Sequence, residues 1–217
     1  MARTLLLCRH GQSDWNVAGR YQGRLDDAVL SPLGVAQAQA LRDRLAARNL
    51  TAIYTSPLRR ARQTATIVAD LPLPEAEGIV VIRPQLTDVD HGAWSGCAHR
   101  DVDDRWPELA RAWREAPAGV RFPGGESLLE VRARALGFLA WLRHEHAGGQ
   151  LLVITHGEVL QLMLASFLDM QPNHLWRLPA DHCGLSIVED YEAPLVMAIN
   201  DTCHLQGLRS TVDVQSR

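Results

Sequence analysis

Lysine is absent: all 22 basic residues of the chain are arginine. That absence excludes Schiff-base chemistry and any lysine nucleophile. The arginines are too many to serve one function and read as background, set by genome base composition or by hot or harsh conditions. An excess of positive charge is also lacking. Against 25 acidic residues the arginines leave a net charge of -3, which argues against nucleic acid or an acidic membrane surface as a partner. No apolar run approaches the ~20 residues that span a bilayer. Leu5 to Cys8, behind Arg3 and Thr4, is too short for the core of a signal peptide, so a cytoplasmic location is expected. The four cysteines, Cys8, Cys97, Cys183 and Cys203, form no CxxC pair. A chain of this length needs no disulfide staple, and reduced thiols are expected.

What is present is an ordinary globular composition. The 217 residues, 47% apolar and 22% charged, can bury a substantial core. No linker, repeat or low-complexity tract divides them, so one domain is expected over residues 1–205, followed by a frayed polar tail at 206–217.

Apolar runs predict strands at Leu5 to Cys8, Thr51 to Thr55, Ile79 to Ile82 and Leu151 to Ile154, with two more near Leu185 to Val188 and Val196 to Ile199. Ser31-Pro32 opens a helix with a capping side chain and then proline at the first helical position, and Leu33, Ala36, Ala40, Leu41 and Leu45 recur at helical spacing. Pro57 starts another, through about Ala69, which Pro72 and Pro74 end. A helical pattern from about Asp101 to Ala116 is broken at Pro107. Ser127 caps a long helix reaching about His146, with Leu128, Val131, Ala135, Phe138, Leu139 and Leu142 on its apolar face, and a last helix runs from about Glu158 to Leu168. Strands alternating with helices predict an α/β fold, a three-layer sandwich around a largely parallel sheet. Ligands in such sheets sit beyond the carboxyl ends of the strands.

Two of those strand ends share a signature. The strand ending at Cys8 delivers Arg9-His10-Gly11, and the strand ending at Ile154 delivers Thr155-His156-Gly157. If both belong to one parallel sheet, the two histidines meet. The helix behind Gly157 offers unpaired amides and a dipole that favour an anion. Arg9 and the cluster Arg59, Arg60, Arg62 can supply bidentate guanidinium contacts, so phosphate is the expected anion. A thiolate phosphatase would need an arginine where Asp14 follows Cys8, and His144-x-His146 lacks the companions of a metal site. No metal or other cofactor is expected.

Arg9-His10-Gly11, "SPLGVAQAQAL", "TSPLRRARQTA", "LTDVDHGAWSG", "FPGGES", "ITHGEVL" and "INDTCHL", in that order, resemble the histidine phosphatase superfamily, in the branch that includes cofactor-dependent phosphoglycerate mutases. The match runs from about residue 3 to 205. The resemblance implies a phosphoglycerate mutase-like fold and a phosphohistidine mechanism. His10 would be the nucleophile, and Arg9, Arg60 and His156 would surround the phosphoryl oxygens. Arg60 is chosen over Arg59 because the family's clamp arginine directly precedes alanine. Asn16, Gln22, Gly23 and Gly157 match positions that contact phosphate or neighbouring substrate atoms.

The sequence departs from the family pattern in three places. The general acid is usually glutamate four residues before the glycine of the G-x-W-x-G loop, and here that position holds Asp88, with Asp90 as the second choice. An aspartate serving as an acid near neutrality needs burial or a neighbouring negative charge. After "YQGR" the segment "LDDAVLSPLG" is one residue longer than usual and lacks a proline. Only 68 positions separate Asp88 from His156, where mutases carry a longer lid that retains an intermediate. The expectation is therefore a phosphatase acting on small phosphate monoesters. The alternatives are a mutase primed by 2,3-bisphosphoglycerate, and a phosphate-binding homologue with little activity.

Overall fold

The computed structural model describes residues 3–69 and 79–210. Its centre is a six-stranded sheet in the order β3-β2-β4-β1-β5-β6, made of β1 (Arg3–Arg9), β2 (Leu50–Thr55), β3 (Val80–Ile82), β4 (Gly149–Thr155), β5 (Leu185–Asp190) and β6 (Leu195–Asp201). β1, β2, β3 and β4 pair in parallel, and β5 runs antiparallel to β1 and to β6. The α/β fold with a largely parallel sheet is thus the one observed.

Successive side chains of a strand point to opposite faces. Leu5 and Leu7 join Leu151 and Val153 on one face, while Leu6 and Cys8 join Leu152 and Ile154 on the other. A short α1 (Asp14–Val17) follows β1. The second face is covered by α2 (Pro32–Leu45) and α3 (Arg59–Ala69), and the first by α4 (His99–Arg105), α5 (Pro107–Glu115), α6 (Leu128–Glu145) and α7 (Gly157–Phe167). Leu5, Leu6, Leu7 and Cys8 are fully buried. At about 1.5–3 kcal/mol per buried leucine side chain, this strand firmly anchors whatever leaves its end.

Local chemistry explains the helix ends. Ser127 accepts from Glu130 N, and Glu130 reaches back to Ser127 N at 2.8 Å, a reciprocal cap that starts α6. Its six predicted core residues are all buried. Pro107, lacking an N–H, divides α4 from α5 and takes the first position of the second.

α2 differs from its apolar pattern. Ser31 and Pro32 do start it, with Ser31 Oγ accepting from Gly34 N at 3.0 Å. The buried face, however, is Gly34, Gln37, Ala38, Leu41 and Leu45, and Leu33, Ala36 and Ala40 are only half-buried. Gln37 is drawn inward because its Oε1 accepts from Gln12 N at 2.9 Å and its Nε2 donates to Leu208 O at 2.8 Å. A buried glutamine with both ends satisfied costs little, so the helix rotates toward it.

Residues 206–210, assigned to the tail by composition, are held against the segments that follow β1 and precede β5. Ser210 Oγ accepts from Gln12 Nε2 at 2.7 Å, and Arg209 pairs with Asp181 at 2.8 Å. Residues 211–217 and the helix-ending Pro72 and Pro74 lie outside the described residues.

Candidate active site

The register Cys8↔Ile154 and Arg9↔Thr155 ends β1 and β4 at the same level, and His10 N donates to Thr155 O at 2.9 Å. His10 and His156 consequently leave the sheet together, with ring centroids 5.1 Å apart. The parallel pairing of β1 with β4, the condition on which the two histidines were expected to meet, is what makes them neighbours.

His10 Nδ1 lies 2.7 Å from Gly11 O. A carbonyl only accepts, so Nδ1 carries the proton and Nε2 keeps its lone pair. Burial, and then the charges of Arg60 and Arg9, hold the imidazole well below its ordinary protonation range. The ring is therefore neutral, with its bare nitrogen on Nε2. Gly11 itself has another reason to be glycine than close approach to a ligand. A Cβ on Gly11 would meet Gly34 O at 2.5 Å, because the first turn of α2 packs directly on the segment after His10. A Cβ on Gly157 would meet nothing closer than Arg9 Nε at 3.6 Å.

α3 contributes Arg60. Its side chain is fully buried, whereas Arg59, one residue earlier and about 100° round the helix, is exposed. Arg60 Nη2 donates to Gly23 O at 2.9 Å and to Asp88 Oδ2 at 2.8 Å, and Nη1 donates to Leu25 O at 3.1 Å. Asp88 is buried, with Oδ1 accepting from Val89 N at 2.9 Å and Oδ2 lying 3.5 Å from His156 Nδ1. Asp90 turns away: its Oδ1 accepts from Gly92 N at 3.0 Å and its other oxygen faces Arg24. Of the two candidate carboxylates, only Asp88 stands beside Arg60 and His156.

His156 caps α7 at its N-terminus, and Gly157 is the first helical residue. Its Nε2 lies 2.8 Å from Ser56 Oγ, and burial together with Arg60 and His10 keeps it, too, well below the usual imidazole range. Arg9 is buried and donates from Nη1 to Ala180 O at 3.0 Å. Asn16 Oδ1 accepts from Ser13 N at 3.0 Å and stands 3.0 Å from His182 Nε2. Gln22 is buried with Oε1 2.8 Å from Ser13 Oγ. Gly23 has a φ of +54°, and a Cβ there would meet Ser95 Oγ at 2.7 Å.

Sequence reasoning missed three contributors. His182, absent from the site residues expected from the sequence, lies 5.7 Å from His10 between ring centroids. Ser56 orients His156, and Thr64 Oγ1 accepts from Gly11 N at 3.1 Å. Ser56 and Thr64 sit inside the "TSPLRRARQTA" stretch, where the arginines carried the signal. The arrangement offers one imidazole with a free nitrogen, two buried guanidinium groups, a helix N-terminus and a carboxyl group, all around one small volume.

The profile of the histidine phosphatase superfamily, branch 1, matches residues 5–202, and the chain belongs to that superfamily. Phosphoserine phosphatase 1 of Hydrogenobacter thermophilus is 37% identical over 93% of both chains. A relative in Yersinia pestis, which carries a provisional phosphoglycerate mutase name, is 32% identical over 92% of this chain and 93% of its own. Among solved structures, Bacillus stearothermophilus YhfR superposes with a TM-score of 0.87 at 34% identity, covering 94% of this chain and all of that one.

Proposed function

We propose that the protein is a phosphatase that hydrolyses small phosphate monoesters through a phosphohistidine at His10. The observation that carries this reading is the His10 Nδ1 contact with Gly11 O, which leaves Nε2 unprotonated among Arg9, Arg60 and His156. Family membership and the phosphatase name of the Hydrogenobacter relative support it.

In the first step Nε2 of His10 attacks phosphorus and the bond to the leaving oxygen breaks. Arg9, Arg60, His156, Asn16 and the first amides of α7 stabilise the charge on the equatorial oxygens. Gln22 and Gly23 form the neighbouring wall. Asp88 gives its proton to the departing alkoxide. It then takes a proton from the water that attacks the phosphohistidine, which releases inorganic phosphate and restores His10.

His10→Ala should abolish turnover of p-nitrophenyl phosphate while leaving the fold intact by circular dichroism. Retained turnover overturns the proposal. The mutase name of the Yersinia relative favours a second reading, that of phosphoglycerate mutase. Measuring interconversion of 2- and 3-phosphoglycerate, with and without 2,3-bisphosphoglycerate, separates the two.

A further inference from the structure

Asp88 does not lie on a helix or strand. It follows a single 3₁₀ turn, Pro84–Leu86, and precedes another, Gly92–Trp94. A carboxyl group that must serve as acid and then base has to be placed within a fraction of an ångström, and an irregular loop does not do that unaided.

The loop's carbonyls are held from outside. Arg134, on α6, donates from Nη1 to Gln85 O at 2.7 Å and to Thr87 O at 2.5 Å, and from Nη2 to Asp88 O at 2.9 Å. Thr155 Oγ1, at the end of β4, takes Leu86 O at 2.8 Å. Every backbone carbonyl from residue 85 to 88 therefore has a side-chain donor, and three of the four share one guanidinium.

That guanidinium is itself fixed. Glu126 meets it side-on, Oε1 with Nε and Oε2 with Nη2, each at 3.1 Å. The same carboxylate accepts from Asp90 N at 3.1 Å, and Glu126 N donates to Asp90 O at 2.9 Å. Gly125 lets these segments touch, since a Cβ there would meet Asp90 O at 2.2 Å. The "FPGGES" motif thus packs on the loop that bears the acid and grips α6 through one bidentate pair.

We infer that Arg134, oriented by Glu126, is a positioning residue for Asp88: it sets the height and direction of the acid by fixing the backbone carbonyls on either side of it. It touches no reacting atom. The inference rests on the reading of Asp88 as the proton donor. It gives Arg134 a role in leaving-group protonation and not in phosphate binding.

The test compares p-nitrophenyl phosphate, whose leaving group hardly needs a proton, with phosphoserine, whose alkoxide does. Arg134→Met should lower kcat for phosphoserine about 10²-fold and change turnover of p-nitrophenyl phosphate little. Arg134→Lys, which keeps one donor, should fall between wild type and Arg134→Met. In an Asp88→Asn background, Arg134→Met should add no further loss on phosphoserine. Equal losses on the two substrates, or a full additional loss in the Asp88→Asn background, overturn the inference while leaving the acid role of Asp88 in place. If Asp88→Asn itself hits both substrates equally, the acid reading fails and the brace falls with it. Should Arg134→Met not fold, Glu126→Gln keeps the shape of the brace without its charge and must show the same preference for phosphoserine.

Discussion

Arg60 Nη2 lies 2.8 Å from Asp88 Oδ2, and both side chains are buried. A buried ion pair of this kind adds little net stability, but removing one partner strands the other's charge. Arg60→Leu should therefore destabilise the protein by about 3 kcal/mol, read as a shift in urea midpoint. Arg60→Leu combined with Asp88→Leu should recover a large part of that loss. A double variant no more stable than the single one would show that Asp88 is not stranded.

Leaving-group dependence isolates the acid. Asp88→Ala should cost about 10²-fold or more on alkyl phosphates and much less on aryl phosphates. Steady-state rates across a series of leaving groups check this, and equal losses would remove Asp88 from the proton-transfer role.

Acid should weaken the fold through its histidines. His10, His156 and His182 are all held well below the ordinary imidazole value by burial, and His91 is brought down to about 4. The unfolded chain takes up protons near pH 6.5 while the folded one does not, so stability present above pH 6.5 is lost as pH falls toward 4. His91 lies against Tyr21, Trp113 and Phe122, and its shift from 6.5 to about 4 is worth roughly 3 kcal/mol over that range. Urea midpoints between pH 7.5 and 4.5 should fall steadily, and His91→Phe should flatten the slope by about one proton.

The two glycines that follow the histidines should behave oppositely. Gly11→Ala forces a Cβ against Gly34 O at 2.5 Å; it should cost about 1–3 kcal/mol and shift His10, lowering activity with it. Gly157→Ala has its nearest contact at 3.6 Å and should leave the thermal midpoint nearly unchanged. A thermal melt of each variant decides it.

Much of the molecule was legible before folding because its signals are local. Apolar runs marked the strands, Ser31 and Ser127 marked helix starts through hydrogen bonds made within one turn, and Pro107 marked a helix break through its missing N–H. The six-residue apolar face of α6 is buried as its spacing requires. Arg9, His10 and His156 stood out because each leaves the end of an apolar strand. The helix α2 was legible, but not its whole buried face, because Gln37 is buried by partners at Gln12 and Leu208, both remote in sequence.

The sequence by itself determined the elements, the two histidine-bearing strand ends and the family motifs, since periodicity and capping depend on neighbours a few residues away. Tertiary structure decided the rest. Pairing β1 with β4 brought His10 against His156. The rotation of α3 buried Arg60 and exposed Arg59, and α6 supplied the arginine that holds the loop of Asp88. Those outcomes depend on hydrogen bonds and packing between segments far apart in the chain, which no local pattern encodes.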